Sequence, residues 1–554
     1  MTTFNEQATT GGSTRPDLDA IVIGAGFAGI YALHRLRNEL GLNARAFEKG
    51  DGIGGTWHWN RYPGAMSDTE GFVYRYSFDK NLLQEDTWDT KYLMQPTILK
   101  YLDGVVERHN LRSHIQLDTE VTAAHFDEVR NYWRVTLSSG ESFTTRFVVS
   151  GLGLLSATNT PQLPAQNTFL GEQYHTSRWP EHVDLTGKRV AVIGTGSTGI
   201  QVITAIAPVV EHLTVFQRSA QYSVPSGNGP IAPEYVESVK KDYDGIWSQV
   251  RDSVVAFGFV ESTVPAMSVS EEERQRVFQK AWEDGGGFRF MFGTFSDVAI
   301  DPEANEAAAS FVRSKIAQVV KDPETARKLT PLDLYAKRPL CDSGYYETFN
   351  RDNVELVAIK ENPITEVTPR GIKTRDGVEH IVDVIIYATG FDAVDGNFKR
   401  IDIRGREGKR IQEHWESGPS SYLGVSTAGY PNFFMVLGPN GPFTNQPPAI
   451  EVQVEWITDL IREAVESDSL TVEPTKEAEE SWTETCNTIA AYTLFPKAAS
   501  WIMGNNVPGK PVSVMFYMAG LGSYRQQLAE EVTTGYGNFF RTPAKTEESL
   551  VAQR

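Results

Sequence analysis

The chain of 554 residues is long enough for two or three domains, each able to bury its own hydrophobic core. Its formal net charge of -19, without a clustered basic stretch, argues against a nucleic-acid partner, because phosphate binding needs a positive surface. The two cysteines, Cys341 and Cys486, are too far apart to predict a metal site or a disulfide framework, and they are typical of the reducing cytoplasm.

The ends of the chain predict neither a membrane span nor a secretion signal. Residues 1–17 are polar, rich in Thr and Gly, and lack an apolar core. We expect these residues and residues 542–554 to be disordered. The protein is expected to act in the cytoplasm as a monomer, without a membrane partner.

The first predicted unit is a strand, a glycine-rich turn, a helix and a second strand. Residues 19–23 are apolar, residues 30–40 have helical spacing, and residues 44–47 form the second strand, which ends in Glu48. In the turn, missing side chains let the backbone approach a pyrophosphate at the helix N-terminus. Glu48 is placed to accept hydrogen bonds from a ribose 2'-hydroxyl, which indicates FAD or NAD. The turn residues assigned to this cofactor are Gly24, Gly26, Phe27 and Gly29.

A second unit of the same kind begins at residue 188. An apolar strand leads to a glycine-rich turn, a helix at 200–210, and a strand at 213–216 that ends in Gln217 and Arg218. This strand end has no carboxylate, which would repel a 2'-phosphate. The Arg218 guanidinium can instead pair with the phosphate, contributing on the order of 1.5 to 3 kcal/mol. The unit therefore favours NADPH. The residues assigned to it are Gly194, Thr195, Gly196, Ser197, Thr198, Gly199, Gln217 and Arg218.

Each unit is followed by short alternating segments that predict an antiparallel meander. The first meander covers residues 115–150 and leads into the apolar run 147–153. The second meander and its closing strand, at 354–382 and 384–391, appear much later in the chain. The second unit is therefore interrupted.

The interruption, residues 229–334, has a helical pattern. A capping box at Ser270 and Glu273 starts one helix, and two Asp-Pro pairs, beginning at Asp301 and Asp322, start two more. After residue 396 the chain is expected to rejoin the first unit and to add helices near residues 450–466 and 475–492.

The predicted fold class is α/β, with two Rossmann-like dinucleotide-binding domains, for FAD and NADP, and a helical insertion in the NADP domain. The FAD domain is expected at 1–150 and 391–554, the linker and NADP domain at 151–228 and 335–390, and the insertion at 229–334.

Residues 169–180 connect the two units. Their apolar spacing is too irregular to predict an amphipathic helix or a strand, so we interpret the segment as a hinge. A lone histidine between aromatic residues, such as His175, is typically a structural residue with a backbone partner.

Two dinucleotide sites with different 2' chemistry imply that electrons pass from NADPH to a bound flavin. Disulfide reductases share this plan but need a redox cysteine pair, and neither Cys341 nor Cys486 has a close partner in sequence. Oxygen is therefore the favoured electron acceptor.

Two motifs carry a resemblance to a known family. Residues 169–180 match Phe-x-Gly-x-x-x-His-x-x-x-Trp-Pro, and residues 54–68 match Gly-Gly-Thr-Trp followed by Tyr-Pro-Gly and Asp. On these motifs, from about residue 19 to residue 540, the chain resembles the Baeyer-Villiger monooxygenases, and within them it is similar to the cyclohexanone monooxygenases.

The resemblance implies that NADPH reduces FAD, that oxygen then gives a flavin peroxide anion, and that this anion converts a ketone to an ester or lactone while NADP+ stays bound. Such an anion needs a fixed positive charge and protection from water. Arg338 matches the family's catalytic arginine, and Asp68 matches the carboxylate that orients it. Lys337 matches a residue near the NADP phosphates, and Ser67 and Asp68 are expected near the nicotinamide.

The resemblance assigns the remaining site residues by position. On the flavin side it adds Gly55, Thr56, Trp57, Asp68, Tyr74 and Val121. For the substrate it suggests Phe443, Thr444, Trp501 and Phe516, and Trp501 lies in a segment that resembles a mobile loop over the nicotinamide. Coupling between the domains is assigned to Phe169, Gly171, His175 and Trp179.

Residues 441–443 lack the insertion found in phenylacetone-type relatives, which favours cyclic aliphatic ketones as substrates. Two alternatives stay open: a flavin monooxygenase that oxidises sulfur or nitrogen centres, and a non-catalytic nucleotide-binding protein that senses redox state.

Overall fold

The computed structural model describes residues 15–543 of the chain. Residues 1–14 and 544–554, most of the two segments expected to be disordered, lie outside this range. Within it the expectation is wrong, because Asp17 accepts a hydrogen bond from the Thr144 backbone nitrogen at 2.8 Å and Thr542 lies in the strand Phe539–Pro543.

An eight-stranded sheet organises the first unit. The apolar strand Leu18–Ile23 lies between two parallel neighbours, and its central residues are fully buried because both faces of the sheet are covered. The strand Ser142–Ser150 joins this parallel half to the predicted antiparallel meander. In spatial order the strands are Asp402–Arg404, Val121–Asp127, Tyr132–Leu137, Ser142–Ser150, Leu18–Ile23, Ala44–Phe47 and Ile115–Gln116, with Phe433–Met435 paired to Ser142–Ser150.

A five-stranded, all-parallel sheet organises the second unit. Its order is Val354–Ala358, His212–Gln217, Arg189–Ile193, Val384–Tyr387 and Glu172–His175. The sequence interpretation fails at both edges, because pairing with a distant strand overrides local pattern. Val354–Ala358 belongs to this sheet rather than to the meander, and the connector contributes the edge strand Glu172–His175.

Six helices lie between the two halves of the second unit. Asp301 and Asp322 cap their helices as predicted, accepting from backbone nitrogens two or three residues ahead. Ser270 accepts from the Glu273 backbone nitrogen, but the Glu273 carboxylate binds Arg276 instead of completing a capping box. The helices are Pro233–Lys241, Tyr243–Asp252, Glu271–Asp284, Gly287–Gly293, Pro302–Val319 and Pro323–Leu329.

The C-terminal part of the chain returns to the first sheet. Strands Asp402–Arg404 and Phe433–Met435 pair with it, and the buried helix Gln446–Glu466 shares a core with the helix Phe27–His34, which continues as the π-helical turn Arg35–Glu39. The helix Lys476–Ala491 follows. Both C-terminal helices and the α/β class with two nucleotide-type sheets are confirmed.

The remaining elements lie around these sheets. The further helices are Thr56–Trp59, Lys80–Glu85, Gln95–Arg108, Ser197–Ile206, Tyr345–Thr348, Ile411–His414 and Gly520–Thr533. The small sheets pair Met66–Glu70 with Tyr92–Met94, Ser223–Pro225 with Leu340–Asp342, Gly441–Pro442 with Phe516–Tyr517, Ser469–Pro474 with Phe539–Pro543, and Gly371–Thr374 with both Ile364–Thr368 and Glu379–Ile381. Among residues 15–543, no helix is both long enough and apolar enough to cross a bilayer.

Candidate active site

A cleft of about 1470 Å³ lies between the two glycine-rich turns. Gly24 and Gly26 line it from the first unit, and Gly194 and Gly196 line it from the second unit. Both turns follow the carboxyl ends of parallel strands, where α/β sheets bind their ligands. The cleft therefore brings together the two sites that the sequence predicted separately.

The first turn is closed by tight backbone packing. A Cβ on Gly24 would lie 2.7 Å from the Gly151 carbonyl oxygen, and one on Gly29 would lie 1.8 Å from the Gly24 oxygen. Gly29 thus packs behind the turn and does not line the cleft. The buried Glu48 carboxylate accepts from the backbone nitrogens of Ala25 and Gly50, both at 2.8 Å, and lines the cleft with hydrogen-bonding capacity left for a ribose.

The second turn repeats this packing but is more open. A Cβ on Gly194 would lie 2.4 Å from the Ala388 oxygen, and one on Gly199 would lie 2.2 Å from the Gly194 oxygen. At Gly196 a Cβ would meet no described atom within 4 Å, so the backbone is free to approach a phosphate at the start of the helix Ser197–Ile206. These residues fit a dinucleotide.

The end of the second strand separates two residues that were predicted to act together. Arg218 lines the cleft, whereas Gln217 does not. The Gln217 side chain donates to the Lys328 backbone oxygen at 2.7 Å and so ties the strand to the helical segment. Lys337 lines the cleft and pairs with Asp333 at 2.8 Å, which lowers the pKa of that carboxyl group.

Arg338 and Asp68 form a partly buried ion pair in the cleft. The Arg338 guanidinium also donates to Ser197 Oγ at 3.4 Å and lies 5.7 Å from the ring centre of Phe288. The guanidinium places a positive charge in the cleft beside the second turn. Ser67 lines the cleft as well, but its hydroxyl group donates to the Thr69 backbone oxygen.

The Tyr-Pro-Gly motif joins the two units. Gly64 has φ of +84°, and a Cβ there would lie 2.7 Å from the Gln201 backbone oxygen. The Tyr62 hydroxyl group donates to Gln201 Oε1 at 2.7 Å, and Gln201 Nε2 donates to the Met66 oxygen at 3.1 Å, two residues before Asp68. Gln201 was missed by the sequence analysis, because a helix residue after a glycine motif gives no sign of its partner.

The predicted flavin-side residues form an aromatic wall of the cleft. Trp57 Nε1 donates to the Tyr74 hydroxyl oxygen at 3.2 Å, and Tyr74 packs edge-on against Phe27 with ring centres 5.6 Å apart. Burial raises the pKa of Tyr74, so the group stays a neutral phenol. The cleft is also lined by Gly55, Thr56 and Val121.

The predicted substrate residues lie together at the aromatic end of the cleft. Phe443 and Phe516 have ring centres 5.4 Å apart, and Trp501 contacts Phe516 edge-on at 5.9 Å. Thr444 lines the same space, and its buried hydroxyl group has no hydrogen-bond partner among the described residues. That hydroxyl group is available to a ligand.

Further aromatic residues of the cleft come from the helical segment and were not predicted. Phe257 and Phe288 stack with ring centres 4.0 Å apart and line the cleft. The aromatic run around Phe288 in the sequence was a possible signal, but an aromatic run alone is more often core than site.

The four connector residues assigned to coupling do not line the cleft, although their neighbours Ser177 and Arg178 do. His175 Nδ1 accepts from the Ser177 backbone nitrogen at 3.1 Å, and Nε2 lies 3.3 Å from Thr389 Oγ1, so the ring bridges the connector and the end of a second-unit strand. Burial lowers the pKa of His175 to about 4. Phe169 and Trp179 are buried, and a Cβ on Gly171 would lie 2.3 Å from the Asp383 oxygen. Assigning His175 to coupling rather than to acid-base chemistry remains a prediction.

The two cysteines are free thiols in the described part of the chain. Cys341 and Cys486 are both buried and unpaired, and burial raises the pKa of each thiol. Across residues 15–543, no group of three or more His, Cys, Asp or Glu side chains could hold a metal ion.

Comparison with known proteins places this chain in a family. A family model described as flavin-binding monooxygenase-like matches residues 19–224. A Baeyer-Villiger monooxygenase from Pseudooceanicola batsensis is 57% identical over 525 residues, which cover 95% of this chain and 96% of the relative. A phenazine N-monooxygenase from Lysobacter antibioticus is 56% identical over 521 residues, which cover 94% of this chain and 96% of that protein.

The fold agrees with a solved structure over nearly the whole chain. The crystal structure of cyclohexanone monooxygenase from Rhodococcus sp. Phi1 bound to NADP+ matches with a TM-score of 0.95 and 62% identity, covering 95% of this chain and 99% of that chain. The resemblance drawn from the two motifs is confirmed, and the chain belongs to the flavin-binding Baeyer-Villiger monooxygenases.

Proposed function

We propose that the protein contains FAD and uses NADPH and O2 to insert one oxygen atom next to the carbonyl group of a cyclic ketone, giving a lactone. The observation that carries the proposal is the Arg338–Asp68 pair, which lies in one cleft with both dinucleotide turns and an aromatic pocket. When bound, the flavin would pass two electrons from NADPH to O2, so that one oxygen atom of O2 is transferred to the ketone and the other leaves as water.

Arg338 supplies positive charge where the reacting oxygen becomes negative. Asp68 fixes the guanidinium from one side, and Ser197 accepts a long hydrogen bond from another nitrogen. A guanidinium has five N–H donors, so donors remain for an oxygen anion in the cleft. A charge that is oriented before the reaction costs no reorganisation when the anion forms.

The two cofactors are held by different means. Arg218 and Lys337 line the cleft on the second unit and provide two cations for the 2'-phosphate and nearby phosphates of NADPH. Glu48 would accept from the ribose hydroxyl groups of FAD, and Phe27, Trp57 and Tyr74 would hold the flavin. Ser67 and Asp68, which also line the cleft, would hold the nicotinamide.

The ketone occupies the aromatic end of the cleft. Four phenylalanines would exclude water from the reacting atoms: Phe257, Phe288, Phe443 and Phe516. The Thr444 hydroxyl group, which has no hydrogen-bond partner among the described residues, would donate to a ligand oxygen. Similarity to a cyclohexanone monooxygenase supports a cyclic aliphatic substrate.

A direct test is to purify the protein and examine it for bound yellow flavin. NADPH and O2 consumption are then followed with a panel of cyclic ketones, and the products are analysed by mass. We expect ketone-dependent consumption and a product heavier than the ketone by one oxygen atom. NADPH oxidation that is independent of every ketone, without an oxygenated product, would contradict the proposal.

Nitrogen oxidation is a second candidate, favoured by the similarity to a phenazine N-monooxygenase at 56% identity. Flat aromatic walls such as the stacked Phe257 and Phe288 also suit a planar heterocycle. Competition between cyclohexanone and phenazine at equal concentration separates the two functions. Lactone as the main product supports ketone oxidation, and an N-oxide as the main product supports the alternative.

We also propose that the enzyme acts as a cytoplasmic monomer. The buried, unpaired Cys341 and Cys486 are compatible with a reducing compartment. Size-exclusion chromatography with light scattering tests the monomer, and a dimer at assay concentration would contradict it.

A further inference from the structure

The strand Met66–Glu70 carries two carboxylates that each bind an arginine. Asp68 and Glu70 are two residues apart on this strand, in the part where its pairing with Tyr92–Met94 shifts register. Asp68 binds Arg338, as described above. Arg289 donates to Glu70 Oε1 at 2.6 Å, and the side chains of Arg289 and Glu70 are 34% and 11% exposed. The second pair therefore repeats the first one along the same strand.

Arg289 belongs to a short helix that forms one wall of the pocket. The helix Gly287–Gly293 follows two glycines with positive φ and has no side-chain cap at its start. It packs against the segment that carries Arg338, since a Cβ on Gly287 would lie 2.5 Å from the Leu340 oxygen. A helix this short depends on tertiary contacts for its orientation.

The two stacked phenylalanines of this wall are each followed by a residue that contacts the first unit. After Phe257, Gly258 packs so closely on Phe72 that a Cβ would lie 2.6 Å from its ring. After Phe288, Arg289 binds Glu70 and lies 5.1 Å from the ring centre of Phe259. One ring is thus positioned by steric contact and the other by an ion pair.

Phe288 is the ring that contacts both the proposed ketone pocket and the Arg338 guanidinium. It lines the cleft, stacks on Phe257 and lies beneath the Arg338 guanidinium at 5.7 Å. Movement of its helix would therefore change both the shape of the pocket and the surroundings of Arg338.

We propose that Glu70 and Arg289 are positioning residues for substrate specificity, which hold the helix Gly287–Gly293 so that Phe288 stays between the ketone and Arg338. This inference rests on the proposed function, because it assigns the residues that shape the ketone pocket. Neither residue lines the cleft, so both act through Phe288.

The test compares Glu70→Gln, Arg289→Gln and the double variant. Each single variant should raise KM for the ketone by about tenfold and increase the share of NADPH consumed without product, because small misplacements of positioning groups have large effects. The rate of anaerobic flavin reduction and KM for NADPH should stay within about twofold of wild type. The double variant should show little additional effect, as expected for residues that act as a pair.

Arg276→Gln is the matched control, because Arg276 lies on the preceding helix in an exposed pair with Glu273. It should leave all of these quantities unchanged. Arg289→Lys keeps the charge and protects the test against a folding failure. It should give an intermediate KM, because an ammonium group lacks the planar fork of the guanidinium.

Hydrogen exchange provides a readout that does not depend on turnover. The amides of residues 287–293 should exchange faster in Glu70→Gln, while those of the helix Glu271–Asp284 should not. If wild type forms no lactone, the proposed function fails whatever the exchange shows. The positioning role is contradicted if wild type forms lactone and the variants have the same KM for the ketone and the same amide exchange as wild type. It is also contradicted if the variants raise KM for the ketone and KM for NADPH equally.

Discussion

The two glycine-rich turns have the same spacing but different surroundings. In each turn, the third glycine packs against the carbonyl oxygen of the first glycine. A Cβ would lie 1.8 Å from that oxygen at Gly29 and 2.2 Å from it at Gly199. The middle glycines differ. A Cβ on Gly26 would lie 3.3 Å from the Gly55 Cα, whereas one on Gly196 would meet nothing within 4 Å. The first turn is enclosed by a second loop of its own unit, and the second turn opens to the cleft.

This difference suits two cofactors with different residence times. An enclosed turn favours a flavin that is retained through many catalytic cycles, because release would require the loop at Gly55 to move. An open turn allows a nicotinamide cofactor to enter and leave. Equal spacing of glycines therefore does not imply equal binding.

The largest expected effect is at Gly55, which has φ of +54° and faces Gly26. Gly55→Ala places a Cβ 2.9 Å from the Gly26 Cα and strains a left-handed residue, so the purified protein should lose most of its flavin. Gly196→Ala should keep its flavin and raise only KM for NADPH, because the methyl group enters the space needed by the pyrophosphate. Flavin content per protein measures both, and equal flavin loss would break the comparison.

A smaller effect is expected at the strand ends that distinguish the cofactors. Arg218→Ala should raise KM for NADPH tenfold or more, because a charge-assisted bond to the 2'-phosphate contributes on the order of 1.5 to 3 kcal/mol. KM for NADH should change little. Gln217→Ala is the control, since this side chain binds Lys328 outside the cleft. Equal effects of Arg218→Ala on both nucleotides would remove the 2'-phosphate assignment.

The last of these effects is on stability rather than on cofactor binding, and it concerns His175, on the connector between the units. Its pKa is about 4 in the fold and 6.5 ordinarily, so the unfolded chain binds more protons between these values. Above pH 6.5 His175 is neutral in both states and the free energy of unfolding does not change with its titration. As the pH falls towards 4, the free energy of unfolding decreases by up to about 3 kcal/mol. Between pH 7 and pH 4.5, the Tm of His175→Gln should therefore fall less than the Tm of wild type. An identical loss would show that His175 titrates normally.

Local sequence identified the residues whose role depends on the backbone. The glycines of both turns, the strand end at Glu48 and the caps at Asp301 and Asp322 follow from short-range geometry. The Arg338–Asp68 pair, separated by 270 residues, came only from the family resemblance.

What the sequence did not reveal depends on long-range pairing. The edge strand Glu172–His175 exists because Val384–Tyr387 pairs with it, and Gln217 turns from the cleft because Lys328 offers a carbonyl group. The Phe257–Phe288 stack and the Arg289–Glu70 pair likewise join segments distant in the chain. Such contacts are set by tertiary packing, which a local pattern does not contain.

The most direct test of the central claim is to separate flavin reduction from oxygen transfer in Arg338 variants. Arg338→Ala should be reduced by NADPH under anaerobic conditions at nearly the wild-type rate but should form lactone about a hundredfold more slowly, because one preoriented charge is lost. Arg338→Lys should retain part of the activity, because it keeps the charge without the planar fork. Wild-type lactone formation by Arg338→Ala would contradict the role assigned to this residue.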